Sequence, residues 1–394
     1  MTIEKIYLGV WFQRTSIHLK EIYNFIKYRK TLKILEEKKI KEYWNALKVR
    51  EAGYYEEKYF DYVEAKCGNI NLSLTEDGVM LSELPKFEDV KEGVKEIEDF
   101  YINNFAPAIS YLFSKGAPLP KDLLRMQEAY PLYLVGRNLK EKEAIELLNK
   151  FGDRLLSHVS SNDIGIVFGE RIGIINIRDK GFYNDSILRG LLQNIVFFRE
   201  FERQLKNYLH LHRDMWEKIS EIRNGKALCY KDVKEARDRL LNIAETLSFV
   251  RARMRQMKDI IAGRNSSISS DMRKQLVLLG IERFNLFKSD VEYLEHLWET
   301  TIDYANSTLM LINSIFDENT QRELNALRFI TLIGVIVGFF GMNIAFPWEE
   351  RWSAISHSSW VVFALIIAVA IVSYQILKIF IYNRRFALHG HEHK

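Results

Sequence analysis

At 394 residues the chain has material for several domains and a sizeable core. Charged residues make up 27% of it, yet the net charge is only +4, and the basic residues are not gathered into an aromatic-interleaved patch; nucleic acid is excluded as a partner. The two cysteines, Cys67 and Cys229, lie far apart with no CxxC pair, which excludes a disulfide framework or a cysteine zinc site and fits a reduced compartment.

The opening stretch MTIEKIYLGVWFQRTSIHLK has a short apolar run without a cleavage pattern, so it reads as the start of a domain rather than a signal peptide. KIYLGVWF and GNINLSL read as strands, PLYLVG as a weaker one, and DIGIVFGERIGIINI as two strands around a Gly-Glu-Arg turn. Helical patterns over Ser16 to Arg50 and Val90 to Ser114 lie between them. An α/β cytoplasmic domain over 1–183 is the economical expectation.

Five of the six prolines lie between Pro85 and Pro131, and none follows until Pro347, so very long helices are permitted. Residues 184–268 are expected to form long antiparallel helices. One keeps an apolar stripe and stops at Gly225, a second runs from Lys231 to Ala262, and GRNSSISS makes a polar turn. From Ser270 the pattern predicts a single stalk helix (269–325) that continues into the membrane, a rod of roughly 100 Å. From Asp290 to Glu323 this rod has eight acids and one base, Arg322. Such a run is usually a solvated face. Copies ringed about an axis would instead make it a negative funnel that concentrates cations.

Nearly all the long apolar sequence falls in the last 70 or so residues, where two spans are predicted, 326–343 and 359–382. Arg322 and Arg328 flank the first, and Lys378, Arg384 and Arg385 follow the second. The loop between them, 344–358, holds Arg351 against Glu349 and Glu350. The basic flanks put both termini in the cytoplasm and the loop outside, with a basic, His-containing tail over 383–394. Lys378, Arg384 and Arg385 form a basic collar whose default role is to anchor lipid headgroups. His389, His391 and His393, on alternate positions, read as part of a solvated tail, with a weak transition-metal site as the alternative. The chain is thus expected in the plasma membrane as a two-helix transmembrane hairpin beneath a large inner domain.

Gly334, Gly338 and Gly341 share one helix face with Thr331 and, further back, Leu327, Glu323, Thr320 and Asp317. Small residues at this spacing either let helices approach closely or leave room for a narrow wet channel. A monomer with two spans encloses no pore, so the second reading requires an oligomer with this stripe on its axis. Asn343 ends the helix at the outer surface. It is either a structural cap or one of a ring of amide oxygens facing a cation. Such a ring suits magnesium, which dehydrates reluctantly and is more cheaply held through its water shell. Glu349 and Glu350 would add negative potential at the mouth.

Gly341-Met342-Asn343, preceded by Phe340 and placed between two C-terminal spans, resembles the signature of the CorA-type divalent-cation transporter family. The resemblance implies a funnel-shaped homopentamer in a lipid bilayer, carrying magnesium and often cobalt or nickel, with magnesium also a regulatory ligand and no other cofactor. It places the selectivity ring at Gly341, Met342 and Asn343, the loop acid at Glu349, and the pore face at Gly338, Gly334, Thr331, Leu327, Glu323, Thr320 and Asp317. The family sets bulky apolar side chains at the inner constriction, where this sequence has Thr320 and Glu323. The gate is left open between Leu324 with Leu327, a shifted register and a different mode of gating. There is no HExxH, Walker A or GxSxG pattern, so no enzyme and no ATP-driven pump is expected. A zinc transporter of the same family and a non-conducting, membrane-tethered sensor or scaffold remain as alternatives.

Overall fold

The computed structural model describes residues 3–12, 18–31, 35–113, 131–178, 185–224, 230–277 and 279–343, together with 367, 369–371 and 373–374. Nine strands form one sheet: β1 (Ile3–Trp11), β2 (Val49–Tyr55), β3 (Tyr62–Cys67), β4 (Ile70–Thr75), β5 (Val79–Leu84), β6 (Leu132–Arg137), β7 (Leu155–Ser160), β8 (Ile164–Gly169) and β9 (Ile172–Ile177). Their order is β2-β3-β4-β5-β1-β6-β9-β8-β7. Every neighbouring pair is antiparallel except β6 and β9.

Alternation along β1 builds two layers on this sheet. Ile6, Leu8 and Val10 enter one core with buried residues of α1 (Leu19–Tyr28), α2 (Glu37–Leu47), α3 (Val90–Asp99), α4 (Ala106–Phe113) and α5 (Glu141–Lys150). Asp89 starts α3 by accepting the backbone N–H groups of Lys91 and Glu92 at 2.7 and 3.3 Å. A π-helical turn, Phe100–Phe105, joins α3 to α4 and adds Phe100, Tyr101 and Phe105 to the core. On the other face, Trp11 packs against Phe197 and Phe201 of α6 (Asp185–Asn224), with ring centroids 5.6 and 5.2 Å away. A Cβ on Gly9 would fall 2.1 Å from Cγ2 of Val196, so glycine is what lets α6 lie this close to β1.

The chain divides into two compact units, Met1–Leu211 with Ser248–Trp298, and His212–Leu247 with Glu299–Lys394. The first holds the sheet, α1–α5, the first part of α6, the last part of α7 (Tyr230–Ser267), α8 (Ser270–Val277) and the first part of α9 (Arg283–Asn343). Phe197 and Phe198 of α6 meet Phe284 of α9 at 6.2 and 5.0 Å, and Phe201 meets Phe287 at 5.0 Å.

Arg264 of α7 and Asp77 of the β4–β5 turn form a buried pair at 2.5 Å. Thr75 donates its hydroxyl to Asp77 at 2.5 Å, and the Trp11 indole N–H donates to the Asp77 carbonyl at 2.9 Å.

The second unit packs the remaining lengths of α6, α7 and α9 together. Met215, Ile219, Val233, Leu240, Leu247, Ala305 and Ile312 are buried in it. Trp216 stacks on Tyr304 at 4.6 Å, and Nε2 of His212 lies 2.8 Å from the Thr301 hydroxyl. His212 is thereby a packing residue.

The expected strands and long helices are present, with three differences. The polar turn expected over GRNSSISS is confined to residues 268–269, because α7 runs on past Ala262 to Ser267. The helical pattern over Ser16 to Arg50 is divided: α1 ends at Arg29 (φ 54°) and α2 at Lys48 (φ 49°), both left-handed, and β2 follows at once. The stalk does not run unbroken from Ser270. α8 stops at Val277, Gly280 takes φ 75°, and α9 starts at Arg283. Glycine tolerates that conformation without strain, so it serves as the break point in an otherwise helical pattern.

Candidate functional site

The predicted pore face lies on α9, whose backbone is one uninterrupted helix from Arg283 to Asn343. Ile312 is buried among the helices of the second unit, but the residues after Phe316 are largely exposed. Asp317, Glu323, Leu327, Thr331, Gly334 and Gly338 are exposed, and Thr320 is half-buried. At about 3.6 residues per turn they keep to one side of the helix. The structure thus brings these seven positions together as a stripe.

Two threonines on the stripe satisfy their hydroxyl protons locally. Thr320 donates to the Phe316 carbonyl and Thr331 to the Leu327 carbonyl, each at 2.9 Å. Each hydroxyl oxygen then presents its lone pairs outward as a neutral acceptor. Gly334 and Gly338 have nothing within 4 Å of where a Cβ would stand. Glu318 is paired with Arg322 one turn along, which leaves Asp317 and Glu323 as the carboxylates on the stripe.

Beyond Glu323 the rest of this helix surface is mainly apolar, with exposed Asn325 and Arg328 the polar exceptions up to Val335. Leu324, Leu327, Phe329, Ile330, Leu332 and Val335 are all more than a third exposed, and Val335 reaches 64%. At about 100° per residue these six positions surround the helix rather than forming one face. Exposed Ile367, Val369, Ile371 and Tyr374 lie in helical backbone of the second expected span. Among the described residues no helix is long and apolar enough to cross a membrane.

Gly341, Met342 and Asn343 are described as helical backbone only. Glu349 and Glu350, the collar of Lys378, Arg384 and Arg385, and the histidine tail lie outside the described residues. Among the described residues no group of three or more His, Cys, Asp or Glu side chains is placed to hold a metal ion.

Sequence reasoning assigned no role in the α/β unit, yet polar side chains there line a cavity of about 480 Å³ on the α6 side of β2–β5. The sequence carries only part of that signal: in β3 and β4, Glu64, Lys66, Asn71 and Ser73 alternate with apolar residues of the opposite face, but strand pairing is what joins them into one lining.

No family model matches the chain, and no curated protein does. Among solved structures it is similar to the complete CorA magnesium transporter of Methanocaldococcus jannaschii, at 14% identity over 64% of this chain and 90% of that one, with a TM-score of 0.30. It is also similar to the soluble domain of CorA from the same organism, at 13% identity over 47% and 88% of the two chains, with a TM-score of 0.26. Likeness at these TM-scores carries no argument about this chain.

Proposed function

We infer that the chain is a passive conduit for hydrated divalent metal cations, with magnesium the principal substrate and cobalt or nickel also carried. The conduit is a homo-oligomer, with a pentamer expected, in the plasma membrane, and its axis is lined by the stripe from Asp317 to Gly341 and closed at its outer end by a ring of Asn343. One observation carries the reading. From Leu324 to Val335 exposed apolar side chains stand on every side of α9, with Asn325 and Arg328 the exposed polar exceptions off the stripe, while one stripe among them is cut by small and hydroxyl-bearing residues.

A helix with exposed apolar side chains on every side is at home only in a largely apolar surround, supplied by lipid or by other protein. The stripe differs in chemistry from the rest of that surface. Open glycine positions leave room next to the backbone, and threonine oxygens offer acceptors without charge. Neutral acceptors hold a water-clad ion without stripping it, so it can leave again. Asp317 and Glu323 add negative potential along the same line. Gly341 falls at the stripe's helical spacing and Asn343 ends the helix, and the resemblance of Gly341-Met342-Asn343 to the CorA signature supports the choice of ion. An inside-negative potential supplies about 4.6 kcal/mol per divalent ion for each 100 mV, so uptake needs no ATP.

The test is uptake by liposomes holding the full chain, with Mg²⁺, Co²⁺, Ni²⁺ and Zn²⁺ in competition. Saturable Mg²⁺ entry that Asn343→Ala reduces at least tenfold, with the oligomer intact, is the expected result. Unchanged flux in that variant removes the asparagine ring from the reading. Zinc entry that excludes magnesium replaces the substrate, and a dimer without flux leaves only a membrane-tethered sensor or scaffold.

A further inference from the structure

On the α6 side of the first unit, strands β1 to β5 set their outward residues in two cross-strand rows. Tyr7, Glu83, Asn71, Lys66 and Glu51 stand opposite one another in succession, and beside them run Leu81, Ser73 and Glu64. These residues, with Arg189 of α6, line the 480 Å³ cavity, a volume within the range of about 300–1,000 Å³ usual for small-molecule sites.

Ser73 is the telling residue. It is 94% buried on the cavity floor, and its Oγ has no hydrogen-bond partner. Buried hydroxyls are rarely left so, because the lost solvation is not recovered. The charged groups around it are only partly used. Glu64 binds Arg189 through Oε1. Glu83 accepts the Tyr7 hydroxyl at 3.3 Å and the Lys5 ammonium at 2.9 Å, both on Oε1. Lys5 is shared with Asp185 at 2.9 Å. The second oxygen of each carboxylate, the Lys66 ammonium, the Glu51 carboxylate and the Asn71 amide have no partner among the described residues.

The alternation of sign limits what fits. A simple anion meets Glu51, Glu64 and Glu83, and a simple cation meets Lys5, Lys66 and Arg189. A molecule with an ammonium and a carboxylate on a short skeleton meets both signs in turn. Leu81 supplies apolar floor for its carbon atoms. We propose that this sheet face binds a small zwitterion of the α-amino-acid class, its ammonium against Glu83 and Glu64, its carboxylate against Lys66, and the Ser73 hydroxyl bonded to it. The proposal is independent of the transport reading.

The experiment is isothermal titration of the full chain in detergent with each of the twenty common amino acids, alongside ammonium chloride and sodium acetate. At least one amino acid should bind saturably at one site per chain. Lys66→Met, an exposed position whose change leaves the fold undisturbed, should weaken that binding at least tenfold, and Glu83→Gln and Ser73→Ala should also weaken it. No saturable binding by any amino acid overturns the proposal and leaves Ser73 to water. So does binding that survives Lys66→Met and Glu83→Gln unchanged, and so does ammonium or acetate alone binding as tightly as the amino acid.

Discussion

At the scale of single residues, two buried groups make opposite demands on their surroundings. Asp77 is fully buried and Arg264 nearly so, and each is held by further bonds: Asp77 by Thr75, and Arg264 by Asn194 at 3.3 Å and by the Phe197 ring at 4.9 Å. Removing one partner leaves the other charged and desolvated, which costs about 3–5 kcal/mol. Asp77→Ala should therefore destabilise the first unit by about that amount, read as a lower denaturant midpoint with an unchanged slope; a loss under about 1 kcal/mol would show that water reaches the guanidinium. Cys67 has no ionic partner to help it. Burial alone pushes its thiol up to about 12. Near pH 8 only on the order of one thiol in ten thousand is then the reactive thiolate. In a Cys229→Ser chain Cys67 should resist an aromatic disulfide reagent while folded and react within minutes in guanidinium. Fast reaction of the folded chain would mean that the end of β3 opens between β2 and β4.

At the scale of elements, the join between β1 and α6 depends on an absent side chain. With a Cβ placed 2.1 Å from the Val196 methyl, Gly9→Ala must push α6 away from the Trp11–Phe197–Phe201 cluster. Overpacking of this kind costs about 1–3 kcal/mol, and Val196→Ala in the same chain should return part of it. Additive losses, measured by denaturation of both single variants and the double, would place the strain elsewhere. The sequence alone makes Gly9 look like any glycine in a strand, since the neighbour that requires it lies 187 positions on. The same limit explains which elements were legible. β1, β4, β6, β8 and β9 carry apolar runs bounded by turn residues, and α6 ends beside its expected glycine. β2, β3 and β7 do not read as strands: VREAGYY, YVEAKC and LLSHVS are short, and each mixes charge, glycine or polar residues into its pattern. The ends of α1 and α2 were hidden because arginine and lysine adopt left-handed backbone there, where glycine or asparagine is the usual signal. At the candidate site the stripe and its spacing were legible because a helix places positions three and four apart together whatever else surrounds it. The cavity under Ser73 was not, because its rows are assembled across five strands.

At the scale of the whole molecule, the proposed assembly requires the exposed surface of α9 to be divided between lipid and other copies. Leu327 and Leu332 are alike in type and in exposure, 59% and 55%, but stand on opposite sides of the helix. Leu327 lies on the stripe with Thr331 and Gly334, which the proposed assembly turns to its axis, and Leu332 lies on the side turned away. A hydrophobic anchor has no reason to distinguish them, whereas a ring of helices about an axis must. In a chain with Cys67 and Cys229 replaced by serine, Leu327→Cys should form disulfide-linked dimers readily under mild oxidation in membranes, and Leu332→Cys should stay monomeric on a denaturing gel. Disulfides demand Cα atoms within about 7 Å, so helices in a wider ring need a short bis-maleimide in place of oxidation, with the same contrast expected. Equal cross-linking of the two variants, or stronger linking through Leu332→Cys, would turn the glycine stripe away from the axis. The conduit would then lose its lining even if the chain still sat in the bilayer.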